Sequence, residues 1–274
     1  MKTWLAIAGI IAAFAGAAEA GILVAPTRLV LEAGARHGEF ILVNKGERTE
    51  RYRISLEGRR MGPDGRLQPV ESPAEGDRFA HELIRFAPRV VVLPPEEPQM
   101  VRILVRNPGD LPIAEYRSHL VFRQVPEAPP AAPEPSAGAE RRGLSVKIQP
   151  IFGVSVPIIV RHGRLRAEGA LSELGLGELD DVPSLRLRLA REGDRSLFGD
   201  FTVTHEQPGA QPRVVGRANH VALYTPNRER PVEIPLQALE GPLPRRGRLV
   251  VEYRDAESDE SELIAESALD LAGP

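Results

Sequence analysis

Alternation of apolar and polar residues dominates this sequence. Tyr52, Ile54 and Leu56 alternate with arginine, serine and glutamate, and leucine alternates with arginine over residues 185–189. A period of two is typical of half-buried antiparallel strands, because successive side chains of a strand point to opposite faces. Turn-forming clusters of Gly, Pro, Asn and Asp separate these runs at intervals of roughly 8–15 residues, as in β-sandwiches. We therefore predict an all-β fold.

The length of the chain favours two sandwiches. An immunoglobulin-like sandwich uses about 100 residues, and a chain of 274 residues has room for two of them after a short leader is removed. Hydrophobic residues make up 42% of the chain and charged residues 27%. This balance excludes wholesale disorder and a polytopic membrane protein.

The first 20 residues have the features of a secretory signal peptide. Lys2 precedes an apolar stretch over residues 4–18, and Ala18-Glu19-Ala20 provides small residues around a cleavage site. The apolar stretch is shorter than the roughly 20 residues that a spanning helix needs. We expect cleavage after Ala20 and a mature protein without an integral membrane span. In a Gram-negative bacterium it would lie in the periplasm.

Residues 127–143 interrupt the strand pattern with a segment rich in proline and alanine. Composition alone favours an interdomain linker, and a long loop within one domain is the alternative. The longest alternating run of the chain follows at residues 144–158. A strand of nine residues already spans roughly 30 Å, so this run is longer than an ordinary sandwich strand needs.

Residue types that enzymes and metal sites require are missing or scattered. The chain has no cysteine, which excludes disulfides, thiol nucleophiles and cysteine-ligated zinc. Its six histidines have no metal-ligand spacing, and no nucleophile elbow or phosphate-binding glycine motif occurs. A net charge of −3 argues against a nucleic-acid partner. We expect no enzymatic activity, no metal and no cofactor.

Two short segments carry local predictions. Gly62-Pro63-Asp64-Gly65 is predicted to form a hairpin turn. The acidic residues between 255 and 262 are predicted to form a solvated turn before a last strand, with a calcium site as the alternative.

Several motifs of the N-terminal half occur together in a fixed order. They are Pro26-Thr27-Arg28, Asn44-Lys45-Gly46, Phe86-Ala87-Pro88-Arg89, Gln99-Met100-Val101-Arg102-Ile103 and Glu115-Tyr116-Arg117. In this combination, residues 21–162 resemble the periplasmic pilus chaperones of the PapD-like family. The rest of the chain matches only as a second sandwich of suitable size.

The resemblance implies two immunoglobulin-like domains in a boomerang arrangement, with a cleft between them. It also implies donor-strand complementation, in which a chaperone lends an edge strand to an incomplete pilus subunit. Residues 127–143 would then be the loop between strands F and G of the first domain, and residues 144–158 the lent G strand. The N-terminal domain would cover residues 21–161, and the C-terminal sandwich residues 162–274.

The resemblance also assigns subunit-binding residues. Arg28 matches a cleft arginine that holds the terminal carboxylate of a subunit, a suitable partner for a guanidinium group. A surface ion pair is the alternative role for Arg28. The lent side chains would be Leu144, Val146, Ile148 and Phe152, and an ordinary core strand is the alternative for them.

One position departs from the family pattern. The cleft lysine of the family falls near Pro157, where this chain has no basic side chain. Lys147 and Arg161 lie close by in sequence and are possible anchors. The carboxylate anchor of this chain is therefore expected to differ from that of the family.

The function that the resemblance implies is that of a non-enzymatic periplasmic chaperone. Such a protein binds pilus or fimbrial subunits and delivers them to an outer-membrane usher. A structural or adhesive envelope protein of immunoglobulin-like domains, without client exchange, is the alternative hypothesis.

Overall fold

The computed structural model describes residues 21–106, 111–126, 151–237 and 246–271. The strands of the first half are β1 (Ile22–Ala25), β2 (Leu29–Leu31), β3 (His37–Asn44), β4 (Glu50–Met61), β5 (Leu67–Val70), β6 (Ile84–Ala87), β7 (Val90–Leu93), β8 (Pro98–Val105), β9 (Ala114–Gln124) and β10 (Gly153–His162). Those of the second half are β11 (Ala167–Leu179), β12 (Val182–Gly193), β13 (Leu197–Glu206), β14 (Arg213–Leu223), β15 (Glu229–Pro235), β16 (Gly247–Asp255) and β17 (Leu263–Leu271).

Two sheets pack face to face in the first sandwich. One has the strand order β1-β3-β8-β6, and the other has the order β2-β10-β9-β4-β5, with β7 paired to β4. Their inner faces enclose a core in which Phe40, Leu120, Phe122 and Ile158 are completely buried. The rings of Phe40 and Phe122 meet edge to face, with centroids 6.2 Å apart. Alternate residues of each strand form this core, as the period of two predicts.

Two local features mark the first sandwich as immunoglobulin-like. The hydroxyl of Tyr116, near the start of β9, donates a hydrogen bond of 2.9 Å to the carbonyl of Pro112. This tyrosine corner is characteristic of such sandwiches. In addition, β1 pairs antiparallel with β3 in one sheet, whereas β2 pairs parallel with β10 in the other. The chain changes sheets at residues 26–28, and Arg28 lies at this crossing.

The second sandwich has its own core. Its sheets have the orders β11-β12-β15 and β14-β13-β16-β17. Phe201 and Tyr253 are completely buried between them, with ring centroids 4.4 Å apart. Met61 and Ile159 of the first sandwich belong to this apolar cluster as well. The all-β class and the two sandwiches predicted from the sequence are thus confirmed.

The local predictions have mixed outcomes. Residues 62–66 connect β4 to its antiparallel partner β5, so the hairpin prediction is confirmed. The acidic segment forms a turn before the last strand, β17, as predicted, but its first residues are not solvated. Asp255 is buried and accepts a hydrogen bond of 3.0 Å from Arg195. Glu257 is also largely buried, because it pairs with two arginines of the first sandwich.

The predicted G strand is only partly covered by the described residues. β10 begins at Gly153 and continues to His162, beyond the predicted end at residue 158. Residues 144–150, the predicted loop at 127–143 and the predicted signal peptide at 1–20 lie outside the described residues. Among the residues that are described, no helix is long and apolar enough to cross a lipid bilayer.

Candidate functional site

The outer face of β9 and β10 lies at the junction of the two sandwiches. Even-numbered residues of β9 point into the first core, so Glu115, Arg117 and His119 point the other way. All three are buried. Ile159 of β10 lies directly opposite Arg117 and packs into the second core. Docking of the second sandwich therefore buries a strand face that is polar in sequence.

Arg161 is surrounded by carboxylates at one end of this face. Its Nη1 lies 2.6 Å from Glu32, its Nε 3.2 Å from Glu115 and its Nη2 2.7 Å from Glu257. Burial opposes the charge of Arg161, but the charges of Glu257 and Glu115 outweigh that penalty and raise its pKa. Glu115 also accepts hydrogen bonds from Ser196 of the second sandwich. This cluster ties the two sandwiches together.

Arg28 meets the same glutamate from the strand crossing. Its Nη2 lies 2.7 Å from Oε1 of Glu257, while Arg161 binds Oε2 of that carboxylate. Its Nη1 donates a hydrogen bond of 2.8 Å to the Tyr224 hydroxyl, and its guanidinium lies over the Phe198 ring. Burial disfavours the charged form of Glu257, but the charges of Arg28 and Arg161 outweigh this and lower its pKa.

Arg117 lies beside this network and has a different environment. Its guanidinium carbon is 3.9 Å from the centroid of the Tyr224 ring, and its Nη2 donates a hydrogen bond of 3.0 Å to the carbonyl of Arg59. Its Nε and Nη1 have no hydrogen-bond partner. Burial lowers the pKa of Arg117 to about 10, so it remains a cation at neutral pH. The junction thus contains a buried cation with unused donors.

His119 lies one step further along the same face. Both of its ring nitrogens lack a hydrogen-bond partner. Burial lowers the pKa of His119 to about 3, and the charges of Arg117, Arg59 and Arg28 add to this effect. His119 is therefore neutral at physiological pH. Burial of the imidazole is the main cause of this shift, and the three neighbouring arginine charges are the smaller one.

The N-terminal half of β10 has an open edge. On one side, β10 pairs with β9 along the whole length of β10. On the other side, β2 pairs only with Ile158, Ile159 and Val160 of β10. Within the described residues, no strand covers the second edge of residues 153–157. Such an edge offers unpaired backbone N–H and C=O groups to another strand.

Burial along β10 changes at this edge. Val156 and Ile158 fill the first core, whereas Phe152, which has the same parity, is 49% exposed. Its neighbour Ile151 is 57% exposed. The apolar run thus emerges from the core where the edge becomes open.

The structure brings some of the predicted site residues together and separates others. Arg28 and Arg161 converge on Glu257. Phe152 lies at the other end of β10 from Arg161, a distance of roughly 30 Å along an extended strand. Leu144, Val146, Lys147 and Ile148 lie outside the described residues.

Three residues of the junction carry no signal in the sequence that identifies them as site residues. Glu257 is in a turn predicted to be solvated, and Tyr224 follows the end of a strand in the second sandwich. Arg117 appeared in the sequence only as part of a motif, and its neighbours do not indicate that it would be buried. The one indication in the sequence is Ile159, because an isoleucine among the outward residues of its strand suggests a covered face.

Comparisons with known proteins give solved structures of similar fold. No family model matches the chain, and no curated protein matches it. The similar structures include the Pseudomonas aeruginosa CupB2 chaperone, at 14% identity and a TM-score of 0.44, covering 92% of this chain and 100% of that one. The Escherichia coli chaperone DraB has 14% identity and a TM-score of 0.45, covering 92% of this chain and 96% of that one.

A third similar structure contains a bound partner. It is the CsuC–CsuE pre-assembly complex of a chaperone with a tip adhesion subunit, from the archaic chaperone-usher Csu pili of Acinetobacter baumannii. The identity is 14% and the TM-score 0.46, covering 90% of this chain and 98% of that one. All three structures are, or contain, chaperones.

Proposed function

We propose that this protein is a non-enzymatic periplasmic chaperone that binds pilus or fimbrial subunits and delivers them to an outer-membrane usher. The observation that carries the proposal is the open edge of β10 at residues 153–157. An incomplete immunoglobulin-like subunit lacks one strand, and a chaperone can supply that strand from an exposed sheet edge. The motifs that resemble the pilus chaperones support the same function.

The mechanism follows from the two kinds of group that a strand offers. Backbone N–H and C=O groups of the open edge would pair with an edge strand of the client. Apolar side chains upstream of that edge would fill the open core of the client. Phe152 is half exposed, as a lent side chain should be in the free protein. Leu144, Val146 and Ile148 continue its parity in the sequence.

The proposal includes the boundaries and location inferred from the sequence. The client-binding domain would cover residues 21–161 and the second domain residues 162–274, and export would remove residues 1–20. N-terminal sequencing of the exported protein should begin at Gly21. A protein that retains Met1 would contradict the periplasmic location.

Co-purification with a client tests the function. The full chain, tagged and expressed in its own host, should leave the periplasm in a one-to-one complex with a subunit that is degraded when the chaperone is absent. Native mass spectrometry gives the stoichiometry and the identity of the partner. Recovery without such a partner would favour the structural or adhesive alternative.

Two matched variants test strand donation. Val146→Asp should abolish the complex, because a carboxylate would be buried unpaired in the client core. Ser145→Asp, of opposite parity, should leave the complex intact. Both free proteins should melt near the wild-type temperature. Unfolding of free Val146→Asp would instead identify an ordinary core strand, and normal binding by this variant would remove Val146 from the donor face.

A further inference from the structure

A pocket at one end of the first sandwich contains the residue that would begin the mature chain. Gly21 precedes β1 and lines a pocket of about 220 Å³ formed by the ends of strands β3, β4 and β9. Its carbonyl accepts a hydrogen bond of 2.9 Å from the amide of Lys45. Cleavage after Ala20 would turn the peptide nitrogen of Gly21 into a charged α-ammonium group. The pocket would then acquire a cation.

Two glutamates of the same pocket have no cationic partner. Glu50, at the start of β4, is half-buried, and its carboxylate accepts a hydrogen bond from the neutral amide group of Gln124. Glu47 is exposed and forms no ion pair with any residue that the structure describes. Arg48 is the one basic side chain among the described residues of the pocket, and it forms no ion pair either. The pocket therefore has an excess of one negative charge.

A buried hydroxyl at the pocket also lacks a partner. Tyr52 is only 3% exposed, and its hydroxyl forms no hydrogen bond with the described residues. Burial raises the pKa of Tyr52, and the charge of Glu50 raises it further. The hydroxyl is thus close enough to Glu50 to experience its charge. Both oxygens can accept hydrogen bonds, and an ammonium group is a cation with three donors.

The turn that carries the two glutamates is fixed by Asn44. This residue is buried, and its Nδ2 donates hydrogen bonds of 2.6 and 2.9 Å to the carbonyls of Arg48 and Leu93. Its Oδ1 accepts a hydrogen bond of 2.8 Å from the amide of Gly46. The acceptors around Gly21 are therefore held in place by the fold, and a cation that binds them does not have to order the turn.

The strand that follows Gly21 has little else to hold it. β1 has four residues, lies at the edge of its sheet and pairs with β3 alone among the described strands. The chain then crosses at residues 26–28 to the other sheet, where Arg28 pairs with Glu257. The first residues of a domain fray unless they are tied down. An ion pair at Gly21 would fix the start of the segment that leads to Arg28.

We propose that this pocket binds the α-ammonium group of Gly21, which pairs with Glu50 and donates a hydrogen bond to the Tyr52 hydroxyl. The inference rests on the export and cleavage proposed above. Removal of the predicted signal peptide would then complete the first sandwich, because a chain that retains Ala20 has an uncharged peptide group at this position. Processing and stability of the mature fold would thus be coupled.

The ion pair gives stability a pH dependence of definite sign. An α-amino group has an ordinary pKa of about 7.7–8.0, and a neighbouring carboxylate raises the pKa of the folded state. The stability is therefore fully present below about pH 7.7 and is lost as the pH rises through the raised pKa. Arg48 is the opposing charge at the pocket, whereas Lys45 is occupied by Glu96, at 2.7 Å.

Melting temperatures of two chains that differ by one residue test the pocket. Both are released from fusions made in the cytoplasm, so that one begins at Gly21 and the other at Ala20, and neither depends on export. The additional residue displaces the ammonium group by about 3.5 Å. At pH 7 the chain that begins at Gly21 should melt about 2–4 °C higher. At pH 10 the two chains should melt at the same temperature, because the amine is then neutral.

Glu50→Gln removes the charge but keeps the size of the side chain, and it should abolish the difference at pH 7. Glu97→Gln, an exposed position outside the pocket, is the matched control and should retain the difference. Equal melting of the two wild-type chains at pH 7 would overturn the proposal. A difference that persists at pH 10 or in Glu50→Gln would overturn it as well. Failure of the export proposal is distinguished by the N-terminal sequence of the periplasmic protein.

Discussion

Two arginines on neighbouring strands of the junction have opposite environments. Arg161 of β10 is surrounded by Glu32, Glu115 and Glu257, whereas Arg117 of β9 has two nitrogens without partners. Both are buried by the same docking of the second sandwich. The difference separates two roles of a buried charge. A cation paired with carboxylates holds the two sandwiches together, whereas a buried cation with unpaired donors lowers the stability of the folded protein.

The largest effect in this comparison should come from Glu115→Ala. Glu115 is completely buried and binds both Arg161 and Ser196. Its loss leaves part of the Arg161 charge uncompensated, and breaking a buried pair in this way costs about 3–5 kcal/mol. Urea denaturation measures the change. Glu97→Ala, at an exposed position, should leave the free energy of unfolding unchanged. Equal stability of the two variants would show that the carboxylates around Arg161 do not hold the two sandwiches together.

Glu257→Gln should have a smaller effect. It removes the charge shared by Arg28 and Arg161, and hydrogen bonds to charged groups contribute about 1.5–3 kcal/mol. Because the folded pKa of Glu257 lies below the ordinary value of 4.5, this stability is present above pH 4.5 and is lost as the pH falls through the lowered pKa. The wild type and the variant should therefore converge in acid. Glu260→Gln, on the same turn but exposed, is the control, and a difference that persists in acid would assign the effect to something other than charge.

The sequence predicts those features of this comparison that depend on neighbouring residues. It does not predict those that depend on residues far apart in the chain. Alternation along β9 and β10 predicts which side chains point away from the first core, and it does so correctly for Glu115 and Arg117. Which outward face becomes buried depends on the docking of a second sandwich. Arg28 and its partner Glu257 are 229 positions apart, and no local pattern links them. The fold was therefore predictable, whereas the pairing of the charges was not.

The smallest effect concerns His119, which lies beside Arg117 on the same face of β9. The pKa of His119 is lowered from 6.5 to about 3, so the unfolded chain takes up a proton below pH 6.5 and the folded protein does not. Stability is therefore full above pH 6.5 and falls as the pH decreases, by about 2 kcal/mol between pH 7 and pH 5. His119→Gln should lack this part of the pH dependence. His37→Gln, at an exposed position, should keep it. If stability depended on pH in His119→Gln as it does in the wild type, burial beside Arg117 would not be what keeps His119 unprotonated.

Hydrogen–deuterium exchange of β10 tests the central claim most directly. The claim is that the open edge of residues 153–157 pairs with a strand of the client. Exchange is measured for the free protein and for the complex recovered from the periplasm. Pro157 has no amide hydrogen, so the measurement concerns residues 153–156 of the open edge. The account predicts that those amides of residues 153–156 that have no partner in β9 exchange quickly in the free protein and become protected in the complex, while the amides of residues 158–160 remain protected in both. Equal exchange of the amides of residues 153–156 in the free protein and in the complex would contradict strand donation.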